Sequence, residues 1–286
     1  MTEHYQCQTA AIDLADYRLF YRIYRNQHNP NGRKILMLHG AGVDGAFTWE
    51  PMLRHLSHWG TLLIPDLRGM GQSVPLPEDR EESAFTVEQV VEDVRALLDY
   101  LGWFECDLAG YSFGGLIAML LKQQRSSGFQ KTYLLESALL ERPDLNEMRD
   151  VRENYSIAAK MMREQTPEEL GITYFLNLIS PKRSKAIRVE HATVHRLKHR
   201  VLGLSYALDA VTDAVQRLDR AEILAVQGDV NSFVGGKSLD TVKACHQDIS
   251  GQRDDWHYHE IGGTDHSLPF QKSSKIAEII QRTLLG

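Results

Sequence analysis

Phe104-Glu105-Cys106-Asp107-Leu108-Ala109 runs into Gly110-Tyr111-Ser112-Phe113-Gly114-Gly115, and that into Leu116-Ile117-Ala118-Met119-Leu120-Leu121-Lys122. The first segment reads as a short buried strand and the last as a helix with an apolar face. Between them, the G-x-S-x-G spacing predicts a turn too tight for a Cβ at positions 110 and 114. Such a turn holds the Ser112 hydroxyl at the C-terminal edge of a sheet and at the N-terminus of a helix. Free amides at the helix end favour developing negative charge, so Ser112 is the candidate nucleophile. On the pentapeptide alone, a Gly-rich turn with an incidental serine reads about equally well, because short motifs misfire. The flanking chain separates the two readings.

Toward the N-terminus, residues 5–13 and 17–25 have the pattern of a hairpin. Tyr17, Leu19, Tyr21 and Ile23 alternate with Arg18, Phe20, Arg22 and Tyr24, as in a strand with two unlike faces. After the turn cluster 26–32, Ile35-Leu36-Met37-Leu38 is a continuous apolar run ending in His39-Gly40-Ala41-Gly42. Leu62-Leu63-Ile64-Pro65 is a second, ending in Asp66-Leu67-Arg68-Gly69-Met70-Gly71-Gln72-Ser73. Runs of this kind are typical of strands buried on both faces. A helix is expected from Thr86, a credible N-cap, to Leu101, with an apolar stripe from Val87 through Leu101.

Toward the C-terminus, 131–136 reads as another strand. From Glu141 to Asp213 the strand patterns give way to charge-rich helical ones punctuated by Pro143, Pro167 and Pro181. Ala221 to Gly228 is read as the return of strand, followed by a helix over 238–248, a strand over 256–261 and a closing helix over 273–284. Alternating strands and helices predict an α/β fold with a mostly parallel sheet covered on both faces. The expected division is a core of 1–140 and 214–286, with 141–213 inserted as a helical cap.

The bulk composition narrows the class. A chain of 286 residues, 43% hydrophobic, can bury one large α/β core with an insertion. Net charge is −6 with no basic run, which argues against a nucleic-acid partner. Cys7, Cys106 and Cys245 are few, odd in number and far apart, so no disulfide framework is expected and a reducing compartment fits. The N-terminus Met1-Thr2-Glu3-His4-Tyr5-Gln6 is polar and no apolar run approaches the roughly 20 residues of a membrane span. A cytoplasmic protein without membrane association is the default expectation.

Taken together, the His-Gly turn at 39–40, the Asp-x-Arg-Gly-x-Gly-x-Ser stretch at 66–73 and the G-x-S-x-G turn resemble the α/β-hydrolase family, in the family's order and over nearly the whole chain. The resemblance implies an eight-stranded, mostly parallel sheet, with a helical cap after the sixth strand. It implies no cofactor and no metal. A free serine hydroxyl is a poor nucleophile and needs a histidine base held in one tautomer by a carboxylate. The family places that histidine in the loop after the last strand, here Gly262-Gly263-Thr264-Asp265-His266, so His266 is the candidate base; Asp265 stands where a glycine is usual. The family's oxyanion hole maps onto the amides of Ala41 and Phe113.

The acid departs from the family pattern. Most relatives carry it as Gly-x-x-Asp after the seventh strand, and alignment on Gly228 puts Asn231 there, with Asp229 two residues early. A minority, including some haloalkane dehalogenases, keep a glutamate at the end of the sixth strand, which here is Glu136. Glu136 is therefore the expected acid and Asp229 its alternative; the bland reading of Glu136 is a solvated strand-end charge. Other conspicuous residues have structural readings. His39 packs in its turn, Asp66 and Arg68 brace a loop as a pair, and His257 and His259 line one strand face. His191, His195 and His199, at i, i+4 and i+8, form a solvated helix face rather than a metal site.

The functional expectation is a serine hydrolase acting on a small or medium carboxylic ester or lactone, with the cap as an apolar lid. A carbon–carbon bond hydrolase of vinylogous diketones ranks below it, because Gly40-Ala41-Gly42-Val43 replaces the Gly-Gly-Gly-Pro type of loop. Dehalogenase and epoxide hydrolase activities are disfavoured because both use an aspartate nucleophile. A non-catalytic ligand receptor on the same fold is the reading from another class.

Overall fold

The alternation over 17–25 forms β2 (Tyr17–Asn26), antiparallel to β1 (Tyr5–Asp13) along its whole length. In this computed structural model, which describes residues 4–164 and 167–285, the continuous apolar runs become interior strands. These are β3 (Arg33–Leu38) and β4 (Trp59–Pro65), then, after the two-residue β5 (Val74–Pro75), β6 (Cys106–Tyr111) and β7 (Phe129–Leu135). β8 (Val230–Gly235) and β9 (Trp256–Ile261) complete the sheet. The order is β1-β2-β4-β3-β6-β7-β8-β9, with β5 paired to β2 at one end. β2 meets β4 antiparallel; every pairing from β4 through β9 is parallel. Every residue of β6 and of β8 is buried, as strands covered on both faces require.

Helices cover both faces. α1 (Gly45–Leu53) and the closing helix, α11 (Ser273–Leu285), enclose one core with Trp49, Met52, Ile276 and Ile280. α2 (Val87–Tyr100) and α3 (Phe113–Gln124) enclose the other with Val90, Val94, Leu116 and Met119. Thr86 starts α2 with a reciprocal capping box to Gln89, a device worth about 1 kcal/mol. Met1, Thr2 and Glu3 of the polar N-terminus lie outside the described residues.

Between β7 and β8 the chain is helical: α4 (Leu145–Glu164), α5 (Glu169–Ile179), α6 (Ile187–Lys198), α7 (Val201–Arg217) and α8 (Arg220–Ala225). The first four share a core that contains Tyr155, Met162, Ile172, Phe175, Leu204 and Leu208, whereas Ile223 of α8 joins the core beside α3. α7 continues to Arg217, past the expected limit of the insertion at Asp213. The expected strand over 221–228 is instead helix α8 up to Ala225, and the next strand begins only at Val230. Asp219 caps this helix by accepting from the Ala221 and Glu222 amides, and Ala, Glu and Leu are strong helix formers. A short apolar run does not distinguish the two states by itself. After β8, α9 (Asp240–Gln252) leads to β9, and α10 (Leu268–Gln271) follows the loop after β9. No helix among the described residues is long and apolar enough to cross a membrane.

Because β3, β6, β7, β8 and β9 are parallel, their C-terminal ends share one edge of the sheet. The loops after β3, β6, β7 and β9 bring residues 39–44, Ser112, Glu136 and His266 to that edge.

Candidate active site

The turn between β6 and α3 is set by backbone crowding. A Cβ on Gly110 would lie 2.5 Å from the Gly114 carbonyl oxygen, and one on Gly114 would lie 2.4 Å from that of Leu38. Only glycine permits these approaches. Ser112 itself has φ 51°, a conformation that costs a non-glycine residue about 1–3 kcal/mol. Backbone hydrogen bonds hold it there: its amide donates to the Leu135 carbonyl of β7 (2.9 Å), and its carbonyl accepts from the amides of Gly115 (2.9 Å) and Ala138 (3.0 Å).

His266 faces this serine, with Nε2 3.2 Å from Ser112 Oγ and Nδ1 2.7 Å from Glu136 Oε2. Glu136 lies just past the end of β7, also at positive φ, and is buried. Its other oxygen, Oε1, accepts from the Gly235 amide (2.7 Å) and from the Ser238 hydroxyl (2.5 Å). Burial alone would push the Glu136 carboxyl up. The hydrogen bonds from His266, Ser238 and Gly235 outweigh burial and hold it below the usual range, so it is ionised. For His266 burial pulls down, but the hydrogen bond to Glu136 and its charge raise the imidazole above its ordinary value. That carboxylate selects the tautomer with the proton on Nδ1, leaving Nε2 to accept from Ser112.

Two partners in this arrangement are not evident from sequence patterns. Tyr111 reaches from the turn to the far loop, donating to the His266 carbonyl at 3.1 Å with its ring 5.3 Å from the imidazole. Burial, then the charges of Glu136 and Asp265, raise its pKa well above the ordinary tyrosine value, so it remains a donor. Ser238 is the second. It stands three residues after Gly235, the last residue of β8. Asp265 braces the loop by accepting from the Ser267 amide and from Gln271 Nε2.

Several expected residues lie elsewhere. Asp229 is at the start of β8, the opposite end of the strand from this site, and pairs with Lys131 at 2.9 Å. Asn231 lies inside β8, buried, with Oδ1 3.0 Å from His259 Nε2. Placing the strand over 221–228 put both residues at the wrong end. Asp66 and Arg68 brace the chain, though not as a pair: Asp66 binds Arg22 (2.8 Å), whereas Arg68 binds Asp93 and Asp16. His39 accepts from the Leu67 amide at Nε2, and its Nδ1 lies 2.7 Å from the Gly40 carbonyl. His246 in α9 is fully buried, and burial pulls its pKa down to about 4, so it stays neutral despite the charge of Glu136.

Above the serine is a cavity of about 230 Å³. The sheet side supplies Ala41, Tyr111, Ser112, Phe113 and His266; the helices after β7 supply Phe175, Ile179, Leu197 and Leu208. A family model for the α/β-hydrolase fold matches residues 34–165, from β3 through the turn at Ser112 to the far end of α4. The chain has the α/β-hydrolase fold. Solved structures with this fold superpose over nearly its full length. One, a carboxylesterase from the thaumarchaeon Nitrososphaera gargenis, has a TM-score of 0.72 at 15% identity and covers 97% of this chain and 98% of its own. The enol-lactonase from Burkholderia xenovorans LB400 has a TM-score of 0.71 at 20% identity, covering 97% and 100%. Among curated proteins, mouse epoxide hydrolase 4 is 32% identical over 87 residues, 30% of this chain and 23% of its own. The chain spans between 23% and 35% of the length of the first curated relatives it matches.

Proposed function

We propose that this chain is a serine hydrolase that cleaves a small or medium carboxylic ester or lactone through an acyl-enzyme on Ser112. The observation that carries the reading is the unbroken relay from Ser112 Oγ to His266 Nε2 and from His266 Nδ1 to Glu136, at 3.2 and 2.7 Å. In the first half-reaction His266 takes the Ser112 proton as Oγ attacks the carbonyl carbon. Glu136 stabilises the imidazolium that results. The amides of Ala41 and Phe113, both in the cavity wall, receive the developing oxyanion, each worth on the order of 3 kcal/mol. Collapse expels the alkoxide, which takes the proton from His266. Water, deprotonated by the same imidazole, then attacks the acyl carbon and restores Ser112 with release of the acid.

The names of the relatives pull in several directions, and position 112 weighs among them. Epoxide hydrolases open their substrate with an aspartate, whereas this chain presents a serine, which suits the acyl chemistry of the carboxylesterase and enol-lactonase neighbours. No step calls for a metal or cofactor. The helices of 141–213 act as the lid that selects the substrate, because they supply the apolar half of the cavity wall. The test is hydrolysis of p-nitrophenyl butyrate. The wild-type protein should turn it over, and Ser112→Ala should lose more than about 10³-fold while remaining folded. Retained hydrolysis in the variant would remove Ser112 from the role.

A further inference from the structure

Of the charges that line the cavity, Arg152, Arg183 and Glu190 sit in ion pairs, whereas Asp265 and Arg196 do not. Arg183 binds Glu190 through two hydrogen bonds, and Arg152 binds Glu141 beneath the wall. Asp265 is held by Gln271 and by the Ser267 amide. Arg196 on α6 also lines the cavity, but it has no carboxylate within ion-pair distance among the described residues. Its guanidinium instead lies over the Phe47 ring, 3.7 Å from the centroid. Stacking occupies the face of the guanidinium and leaves its in-plane N–H groups to donate at the rim. It also restricts the long side chain before any ligand arrives, which lowers the entropy cost of binding.

Phe47 belongs to an aromatic wall leading inward. It stacks on Phe270 at 4.7 Å; Phe270 meets Tyr111 edge-on at 5.7 Å, and Tyr111 packs against His266. Three rings therefore separate Arg196 from the imidazole. On its other side Arg196 borders a surface cleft with His191, His195 and His199, the three helix-spaced histidines of the sequence. Among the described residues of that cleft the one carboxylate is Asp44, whose Oδ1 is engaged as the N-cap of α1. Lys198 and Arg200, also in the cleft, are already paired with glutamates.

We infer that Arg196 is an anion-recognition residue at the cavity mouth, and that the preferred substrate is an ester carrying a carboxylate or similar anion several bonds from its carbonyl. The inference rests on the reading of the cavity as the substrate site. The geometry places the anion at the mouth, away from Asp265 beside His266, with the apolar middle of the substrate along the aromatic wall. Either the acyl or the alcohol portion of the ester can carry the anion.

Two matched pairs of esters test this. p-Nitrophenyl hemiadipate against p-nitrophenyl hexanoate carries the charge on the acyl side; m-carboxyphenyl butyrate against phenyl butyrate carries it on the alcohol side. The wild-type ratio of kcat/KM, anionic over neutral, should exceed one in at least one pair. Arg196→Met should lower that ratio about tenfold or more, the range of a hydrogen bond to a charged group. Arg196→Lys should keep part of it. An unchanged ratio in both pairs, or wild-type ratios at or below one, overturns the inference. Calorimetric binding of hemiadipate ester to the Ser112→Ala protein, compared with the Ser112→Ala, Arg196→Met double variant, reads the subsite independently of the nucleophile. About tenfold weaker binding in the double variant supports the anion site even if Ser112 is not the catalytic residue; equal binding contradicts it.

Discussion

The sheet-side wall of the cavity and its helical wall are built by different means. On the sheet side, backbone contacts fix the geometry: a glycine against a carbonyl at 110 and 114, and the Ser112 amide on Leu135. Glu136 is held by three donors from other elements. On the helical side, side chains alone define the surface. Phe175, Ile179 and Leu208 form it, and ion pairs such as Arg183–Glu190 and Lys198–Glu169 tie its helices. A wall fixed by backbone can hold reacting groups to a fraction of an ångström, as chemistry demands. A wall of side chains can change its shape through substitution without disturbing the fold. In the proposed function the two walls divide the labour: the sheet side would perform the reaction and the helical side would choose what enters.

The largest expected effect sharpens the sheet-side account. Glu136→Gln should lose about 10³- to 10⁴-fold in turnover, as triad acids do when their charge is removed. Asp229→Asn and Asn231→Ala, which alter residues outside the relay, should cost far less in the same ester assay. Dead Asp229→Asn beside active Glu136→Gln would return the acid to β8. The pH profile carries the same information with a definite sign. His266 must be neutral to accept the Ser112 proton, and Glu136 raises its pKa above the ordinary value. The acid limb of kcat/KM should therefore fall above the ordinary histidine value of about 6.5 in the wild type. In Glu136→Gln the limb should move to lower pH; a limb that stays in place would separate Glu136 from the imidazole.

A smaller effect is expected on the helical side. Leu208→Ala removes an isopropyl group from the apolar wall and so enlarges the cavity. The ratio of kcat/KM for p-nitrophenyl octanoate over acetate should rise about threefold or more, since a single methylene in an apolar pocket is worth 1–3 kcal/mol. The acetate rate itself should change little. A collapse of both rates together would mean that this helix supports the reacting groups, and the division between walls would fail.

This division also governs what the sequence discloses. Gly110 and Gly114 are legible because a tight turn admits no other residue there. His266 is legible from its loop after the last strand, and Glu136 from its place at the end of β7. Tyr111 was not, because its bond to the His266 carbonyl joins segments far apart in the chain. Nor was Ser238. The short apolar run Ile223-Leu224-Ala225-Val226 imitates a strand over its few residues, and a strand there shifts β8 along the chain and points to Asp229 and Asn231. The surface presented by Phe175, Ile179 and Leu208 depends on how α5 and α7 pack, which apolar periodicity predicts only as a buried face.

The most direct measurement is covalent labelling. The native protein, treated with a fluorophosphonate, is digested and its peptides are weighed by mass spectrometry. A nucleophilic Ser112 activated by His266 and Glu136 should take one label, on the peptide containing Gly110-Tyr111-Ser112-Phe113-Gly114. Ser112→Ala should take none, and Glu136→Gln should label far more slowly. Label on another residue, or undiminished labelling of Ser112→Ala, would contradict the account.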